Sequence, residues 1–240
     1  MCDSPDKTPI WKAIADALRS DLAEGHYSPG EKLPTESALA DRFGVNRHTV
    51  RHGLSALVSE GLVRTRRGAG AFVVSTPADY RLGHRVRFHE NLIDAGRHPE
   101  KRVLSLDTRA ATQGEARALH IQVGDQVCAY HGLLLADGQP LAVVLSVFPS
   151  MRLSGIFEAL SATTSVTQAL RSVGIDDYTR ASTRLTAVRS TATQALLLQA
   201  GEGDPLLRSS SVNQCANAIP VEYGRTWFVG DRITLTLGET

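Results

Sequence analysis

The sequence predicts an α+β protein in two parts: a small N-terminal unit of three helices and a β-hairpin, then a larger unit with a mostly antiparallel sheet and flanking helices. Three observations carry that expectation. The chain has 240 residues, more than one average domain and enough for at least one full core. Between residues 8 and 61 apolar side chains recur at helical spacing. Beyond residue 100, β-forming runs are joined by short turns.

Helix one is opened by Thr8 as cap and Pro9 in the first helical position. Its Ile10, Ile14, Leu18 and Leu22 recur every four residues, and Gly25 ends it. After the loop HYSPGEKLP, Thr35 is placed to cap a second helix of about nine residues, whose Leu39, Ala40 and Phe43 face inward before Gly44 stops it. Asn46 caps a third helix, in which Val50, Leu54, Leu57 and Val58 form the apolar stripe, closing at Gly61. Two helices joined by a tight glycine turn are a helix-turn-helix pattern. LVRT and AFVV, separated by the turn RRGAG, complete the unit as a hairpin wing. These parts fill residues 1–74; STPADYRL, residues 75–82, reads as a linker, and residues 83–240 as the second unit.

If the stripe from Val50 turns inward, the helical period places Arg47, His48, Arg51, His52 and Ser55 on the outer half of the third helix. From Arg42 to Arg67 there are six arginines and a single acid, a local charge of +5 that leaves −4 for the rest of a chain whose total is +1. Such an island suits a polyanion met at one face. The major groove accepts one helix, arginine's planar fork matches guanine, and Thr49 with backbone N–H groups at a helix start can hold phosphates. Arg66 and Arg67 sit beside Gly68 and Gly70, which let the wing backbone approach DNA closely. His48 and His52 have metal-ligand spacing, but no third ligand lies near them, so no metal is expected. No cofactor loop, catalytic triad or metal triad is found, so neither a cofactor nor a catalytic residue is expected.

The remaining composition is that of an ordinary globular protein, with 42% hydrophobic residues. There is no run of 18 uncharged apolar residues, and MCDSPDKTPIWK lacks the regions of a signal peptide. A cytoplasmic protein without membrane contact is therefore expected. Cys2, Cys128 and Cys215 contain no CxxC and read as a tail thiol and two small core residues.

The stretch GEKLPTESALADRFGVNRHTVRHGLSALVSEGLVRTRRGAGAFV, residues 30–73, closely resembles the winged helix-turn-helix of the GntR family of bacterial transcription regulators. The resemblance implies that Arg47, Thr49, Arg51, Arg67 and Gly68 touch operator DNA, within a candidate set that also holds Thr35, His48, Arg66 and Gly70. The chain departs from many relatives at Ser37, where they carry an arginine.

In the second unit, strands are expected at 101–108, 126–136, 141–148, 183–189, 205–213, 219–229 and 232–237, with hairpin turns at Asp137-Gly138 and Ala216-Asn217. TQGEARALH, SVTQALRSVG and TATQALLLQAG read as helices, the last two stopped by Gly174 and Gly201. No internal repeat is apparent. GEARALHIQVGDQV, ADGQPLA and PVEYGRTWFVGDRI resemble the UTRA effector and dimerisation domain of the HutC subfamily, whose fold is like chorismate lyase. RFHENLIDAGRHP, residues 87–99, is most similar to repressors of phosphonate utilisation within it. The resemblance implies a homodimeric repressor on double-stranded operator DNA, released by a small anionic effector such as an organophosphonate.

An anion site is expected from Thr164 and Ser165 at a helix start and from Arg180 and Arg184, which a regular strand would point to one face. Glu222 is suited to an amine on the ligand and Tyr223 to a hydrogen bond. Relatives that sense phosphorylated amino sugars carry an RxR pair where this chain has Gly132 and Leu134. A sugar phosphate or an amino-acid catabolite remain alternative effectors, and a lyase-like enzyme an alternative activity.

Overall fold

The computed structural model describes residues 9–66, 68–74, 77–83, 85 and 88–237. The chain divides into two compact units, with the boundary between Thr76 and Pro77.

In the first unit, α1 (Ile10–Ala23), α2 (Glu36–Phe43) and α3 (Arg47–Ser59) precede the hairpin β1 (Val63–Arg66) and β2 (Gly70–Val73). Thr35 caps α2 by accepting from Ala38 N, and Asn46 caps α3 by accepting from Thr49 N. Each side chain satisfies one of the donors that a helix start leaves free. Gly44 ends α2 in the left-handed conformation, φ 64°, which glycine adopts without a Cβ clash. Thr8 lies outside the described residues, and Pro9 is itself the N-cap residue of α1 rather than its first helical residue.

One core joins these elements: Ile14, Leu18, Leu39, Val50, Leu54, Leu57 and Val63 are all buried. Two expected members are not, since Ile10 is 63% exposed and Val58 38% exposed. Ile10 is in the first turn of α1, and Val58 is eight residues past Val50, where a 3.6-residue period has drifted by about 80°. The place of Val58 is taken by Gly53, buried against α1. The loop ahead of α2 also does more than connect, because Lys32 bridges Phe72 and Leu33 N donates to Ala71 O, extending the wing.

The second unit is built on a six-stranded antiparallel sheet. Its strands are β4 (Pro99–Ala110), β5 (Gln126–Ala136), β6 (Gln139–Pro149), β7 (Tyr178–Arg189), β8 (Pro205–Cys215) and β9 (Pro220–Val229), in the order β4-β5-β6-β9-β8-β7. The expected 126–136 strand is matched in full, and Asp137-Gly138 makes the tight turn with both φ angles positive, 50° and 75°. Residues 78–81, expected to be linker, form β3 (Ala78–Arg81), which pairs in parallel with β10 (Ile233–Thr236). The helices are α4 (Phe88–Asp94), α5 (Gln113–Leu119), α6 (Ile156–Ala162), α7 (Val166–Ser172) and α8 (Ala192–Leu198), of which α4 and α6 were not expected. Gly201 does not stop α8; Gln199 does, in the left-handed region at φ 49°.

The sheet contains an internal repeat that the sequence reading did not find. Strand, helix, strand, strand occurs as β4-α5-β5-β6 and again as β7-α8-β8-β9. Thr112 and Thr191 each cap the helix in a capping box, and His120 and Gln199 each end it with positive φ. Asp125 then accepts from Gln122 N at 2.8 Å, and Asp204 from Gly201 N at 2.7 Å. The trace in sequence is a threonine followed twelve and thirteen residues later by Gly-Asp, at Thr112 and again at Thr191. That is too sparse to register as self-similarity.

No helix among the described residues is long and apolar enough to cross a membrane, and no cluster of His, Cys, Asp and Glu among them can hold a metal ion.

Candidate nucleic-acid interface and ligand cavity

On the first unit, α3 presents Arg47, His48 and Arg51 as exposed residues, with Val50, Leu54 and Leu57 fully turned to the core. The arginines are held from α2. Arg47 Nη2 donates to Ser37 Oγ at 2.9 Å, and Arg51 Nε and Nη2 donate to the two oxygens of Glu36 at 3.1 and 2.6 Å. Ser37, the departure from the family pattern, is thus the acceptor that positions Arg47. The Arg51 guanidinium holds the Glu36 carboxyl below its usual range, with smaller help from Arg47 and His48.

Thr49 is half-buried, its hydroxyl donating to Asn46 Oδ1 at 2.9 Å. Thr35 spends its hydroxyl oxygen on the α2 cap. His52 stacks on Trp11 with ring centroids 4.3 Å apart, so its ring covers α1. In the wing, Arg66 lies 4.9 Å from the centre of the Phe72 ring. Gly68 and Gly70 have φ of 76° and 109°, and a Cβ on Gly70 would meet Lys32 Cε at 2.9 Å. Arg67 lies outside the described residues. Lys32, in the loop ahead of α2, is therefore a further cation beside the wing.

The second unit holds a cavity of ≈ 870 Å³, within the size range of small-molecule sites. Thr164, Ser165, Arg180 and Glu222 line it; Arg184 and Tyr223 do not. The register explains both corrections. Cross-strand partners share a face, and Arg180 pairs with Asn213 whereas Arg184 pairs with Ser210, because a bulge between Arg180 and Ser182 inserts one extra residue. Asn213 lines the cavity and Ser210 does not. Tyr223 is next to Glu222 on a regular strand and so points the other way, where its ring meets the Arg225 guanidinium at 5.3 Å.

A second bulge, between Val103 and Ser105 of β4, brings Lys101 onto the cavity face opposite Leu134. Lys101 lies eleven residues ahead of Thr112, and Arg180 eleven ahead of Thr191, so the two halves of the repeat each contribute one cation. Sequence reading missed Lys101, since its face depends on that bulge. Burial pushes the Lys101 ammonium below its usual range, while Glu222 pulls it back up.

Glu222 is buried and accepts from Ser146 Oγ at 2.5 Å and from Asn213 Nδ2 at 2.7 Å. Ser165 accepts from Gln168 N, and Ser165 N donates to Thr163 Oγ1 at 3.1 Å, so the start of α7 is already partly satisfied. Gly132 faces the cavity wall with no room for a side chain: a Cβ there would lie 2.8 Å from the Tyr130 ring. From β3 and α4 come Tyr80, Phe88 and His89. Burial raises the pKa of the Tyr80 hydroxyl, and the nearby Arg180 guanidinium offsets part of that rise.

A helix-turn-helix with a β wing, followed by an antiparallel sheet lining a charged cavity, is the architecture of a DNA-binding regulator with an effector domain. Residues 11–73 match the family model of bacterial regulatory proteins, gntR family, and residues 94–234 match that of the UTRA domain. The chain belongs to the GntR family of bacterial transcription regulators and carries the UTRA effector domain of its HutC type. It is 35% identical over 229 residues to an HTH-type transcriptional regulator of Rhizobium meliloti (strain 1021), covering 95% of this chain and 94% of that one. To the Escherichia coli (strain K12) protein named "Probable transcriptional regulator PhnF" it is 32% identical over 228 residues, covering 95% and 94%. The crystal structure of PhnF from Mycobacterium smegmatis superposes with a TM-score of 0.65 at 26% identity, covering 95% of this chain and 99% of that one. These relatives are transcription regulators, not enzymes, and so is this chain.

Proposed function

We propose that this protein is a cytoplasmic repressor of phosphonate uptake or metabolism genes, released from its operator by a small organophosphonate. One observation carries the reading: residues 88–94 of the stretch that resembles phosphonate-utilisation repressors fold as α4, and its Phe88 and His89 form part of the cavity wall. The cavity supplies Lys101 and Arg180 for an anion, while Gly132 and Leu134 stand where sugar-phosphate sensors carry cations.

In this reading the protein is a homodimer through its larger unit. Two copies of α3 enter neighbouring major grooves about one helical turn apart on an inverted repeat. Arg47 and Arg51 read bases; Thr35, His48, Thr49, Arg66, Arg67, Gly68 and Gly70 meet backbone or groove. The effector releases DNA only by binding a second dimer geometry more tightly. A 10- to 100-fold loss of operator affinity corresponds to about 1.4–2.7 kcal/mol of coupling, within the usual allosteric range.

The test is a gel shift with DNA from upstream of the protein's own operon, titrated with phosphonates, phosphate, sugar phosphates and imidazole acids. Release by phosphonates at concentrations where the others do nothing is the expected result. Release by a sugar phosphate or an imidazole acid alone overturns the phosphonate assignment and leaves the regulator.

A further inference from the structure

We propose that the cavity selects a zwitterion, an ω-aminoalkylphosphonate whose anionic head is held by Lys101 and Arg180 and whose ammonium group is taken by Glu222 and Asn213. The inference rests on the reading of the cavity as a phosphonate site and adds the amine.

Among the described residues, three atoms of the cavity wall are buried with no hydrogen-bond partner: Arg180 Nε, Tyr130 OH and Asn213 Oδ1. Buried polar groups are almost always satisfied, so a cluster of orphans around one cavity marks the partners a ligand supplies. Their chemistry is not uniform. Arg180 Nε only donates. Asn213 is oriented by its neighbour, because the Glu222 carboxylate can only accept; Asn213 must turn Nδ2 toward it, which leaves Oδ1 as an unused acceptor.

Glu222 has capacity left as well. Each of its oxygens receives one hydrogen bond, from Ser146 and from Asn213, out of about two that each can accept. Glu222 and Asn213 Oδ1 therefore make a corner that offers acceptors alone, and beside a carboxylate a cationic donor is favoured over a neutral one. A plain dianion entering the cavity would meet that carboxylate in a partly desolvated site and be repelled.

Charge and register agree with this division. Of the charged residues lining the cavity, Lys101, Arg180 and Glu222 are the ones not exposed to solvent; together they leave one positive charge, which a phosphonate dianion bearing one ammonium neutralises. Arg180, Asn213 and Glu222 are successive cross-strand partners on β7, β8 and β9, so Arg180 and Glu222 are two strand spacings apart, roughly 10 Å at the backbone. Their side chains reach inward from either side of that gap, which suits a ligand with a short carbon spacer between its charges.

The experiment is isothermal titration of the full-length protein with 2-aminoethylphosphonate and 3-aminopropylphosphonate, against ethylphosphonate and propylphosphonate, repeated with Glu222→Gln. We expect the amino compounds to bind roughly 10- to 150-fold tighter than their alkyl counterparts, the factor a hydrogen bond to a charged group supplies. In Glu222→Gln the two classes should bind within about threefold of each other, because the charge-assisted contact is lost. Equal binding of both classes by the unaltered protein overturns the inference and leaves the phosphonate reading standing. An amine preference that survives in Glu222→Gln also overturns it. Binding of neither class overturns both. The comparison within the unaltered protein needs no variant, so a misfolded Glu222→Gln does not shelter the claim.

Discussion

Arg51 grips Glu36 with two hydrogen bonds from α3 to α2, at 3.1 and 2.6 Å, so in its proposed DNA-reading role the arginine must exchange a carboxylate for a base or phosphate. The exchange is inexpensive, because both partners are solvent-exposed and such pairs contribute little. Removing Arg51 or Arg47 should then cost mainly the DNA contact. Arg47→Ala and Arg51→Ala are each expected to weaken operator binding about 5- to 150-fold, the range for a good bidentate base contact. Fluorescence anisotropy on the matched operator measures it; unchanged affinity removes the residue from the interface.

Glu36→Gln frees Arg51 and deletes a negative charge from the DNA face. Binding to unrelated duplex should strengthen, while the ratio of operator to unrelated affinity falls, since phosphate attraction carries no sequence information. Salt titrations on both duplexes provide the measurement, and an unchanged ratio would show that Glu36 plays no part in orienting Arg51.

Gly53 sits where α3 crosses α1, and an added Cβ would lie 3.0 Å from the Trp11 carbonyl oxygen and 3.2 Å from Ile14 Cγ2. The backbone atom cannot rotate away. Gly53→Val should therefore destabilise the first unit by about 1–3 kcal/mol, the usual cost of overpacking. Chemical denaturation followed by Trp11 fluorescence, in a background where Trp227 of the second unit is replaced by Phe, reads that unit; a stability equal to the parent's would mean that α1 shifts without cost.

The bulge in β7 separates two arginines that a regular strand would place side by side. Arg180→Ala should reduce effector affinity roughly 10- to 150-fold through loss of a charged hydrogen bond. Arg184→Ala should leave it within about twofold of the parent, the scatter expected of a surface change away from the site. Calorimetry with the same phosphonate decides, and a reversed pattern would place Arg184, not Arg180, against the ligand.

Glu115 is buried and accepts two hydrogen bonds from Arg109, at 2.7 and 2.8 Å, which together with Thr112 lower its pKa from 4.5 to about 2. A folded-state pKa below the unfolded one adds stability above pH 4.5 that drains away as the pH falls toward 2. The amount is on the order of 2 kcal/mol once screening at the partly exposed Arg109 is allowed for. Thermal melts of the second unit between pH 5 and 2.5 should show that slope in the parent and a flatter one in Glu115→Gln. Parallel slopes would exclude Glu115 as the titrating group.

Much of the first unit was legible because its determinants are local. Thr35 and Asn46 cap within three residues of themselves, Gly44 turns where only a left-handed residue fits, and Val50, Leu54 and Leu57 share a face by period alone. Val58 and Ile10 were misplaced because the partner helix, not the period, decides where a stripe ends. The cavity was only half legible. Arg180 and Glu222, named by residue type, line it; Lys101 lines it unnamed, Arg184 does not share the face of Arg180, and Tyr223 lies off the cavity.

The sequence by itself determined the two units, the capped helices of the first, the hairpin turn at Asp137-Gly138 and the antiparallel strands, since each follows from side chains a few positions apart. Only the tertiary structure decided which charged groups meet. A single extra residue near Leu104 and another near Ala181 reverse the face of everything beyond them, and whether a strand bulges is set by hydrogen bonding to a partner far along the chain.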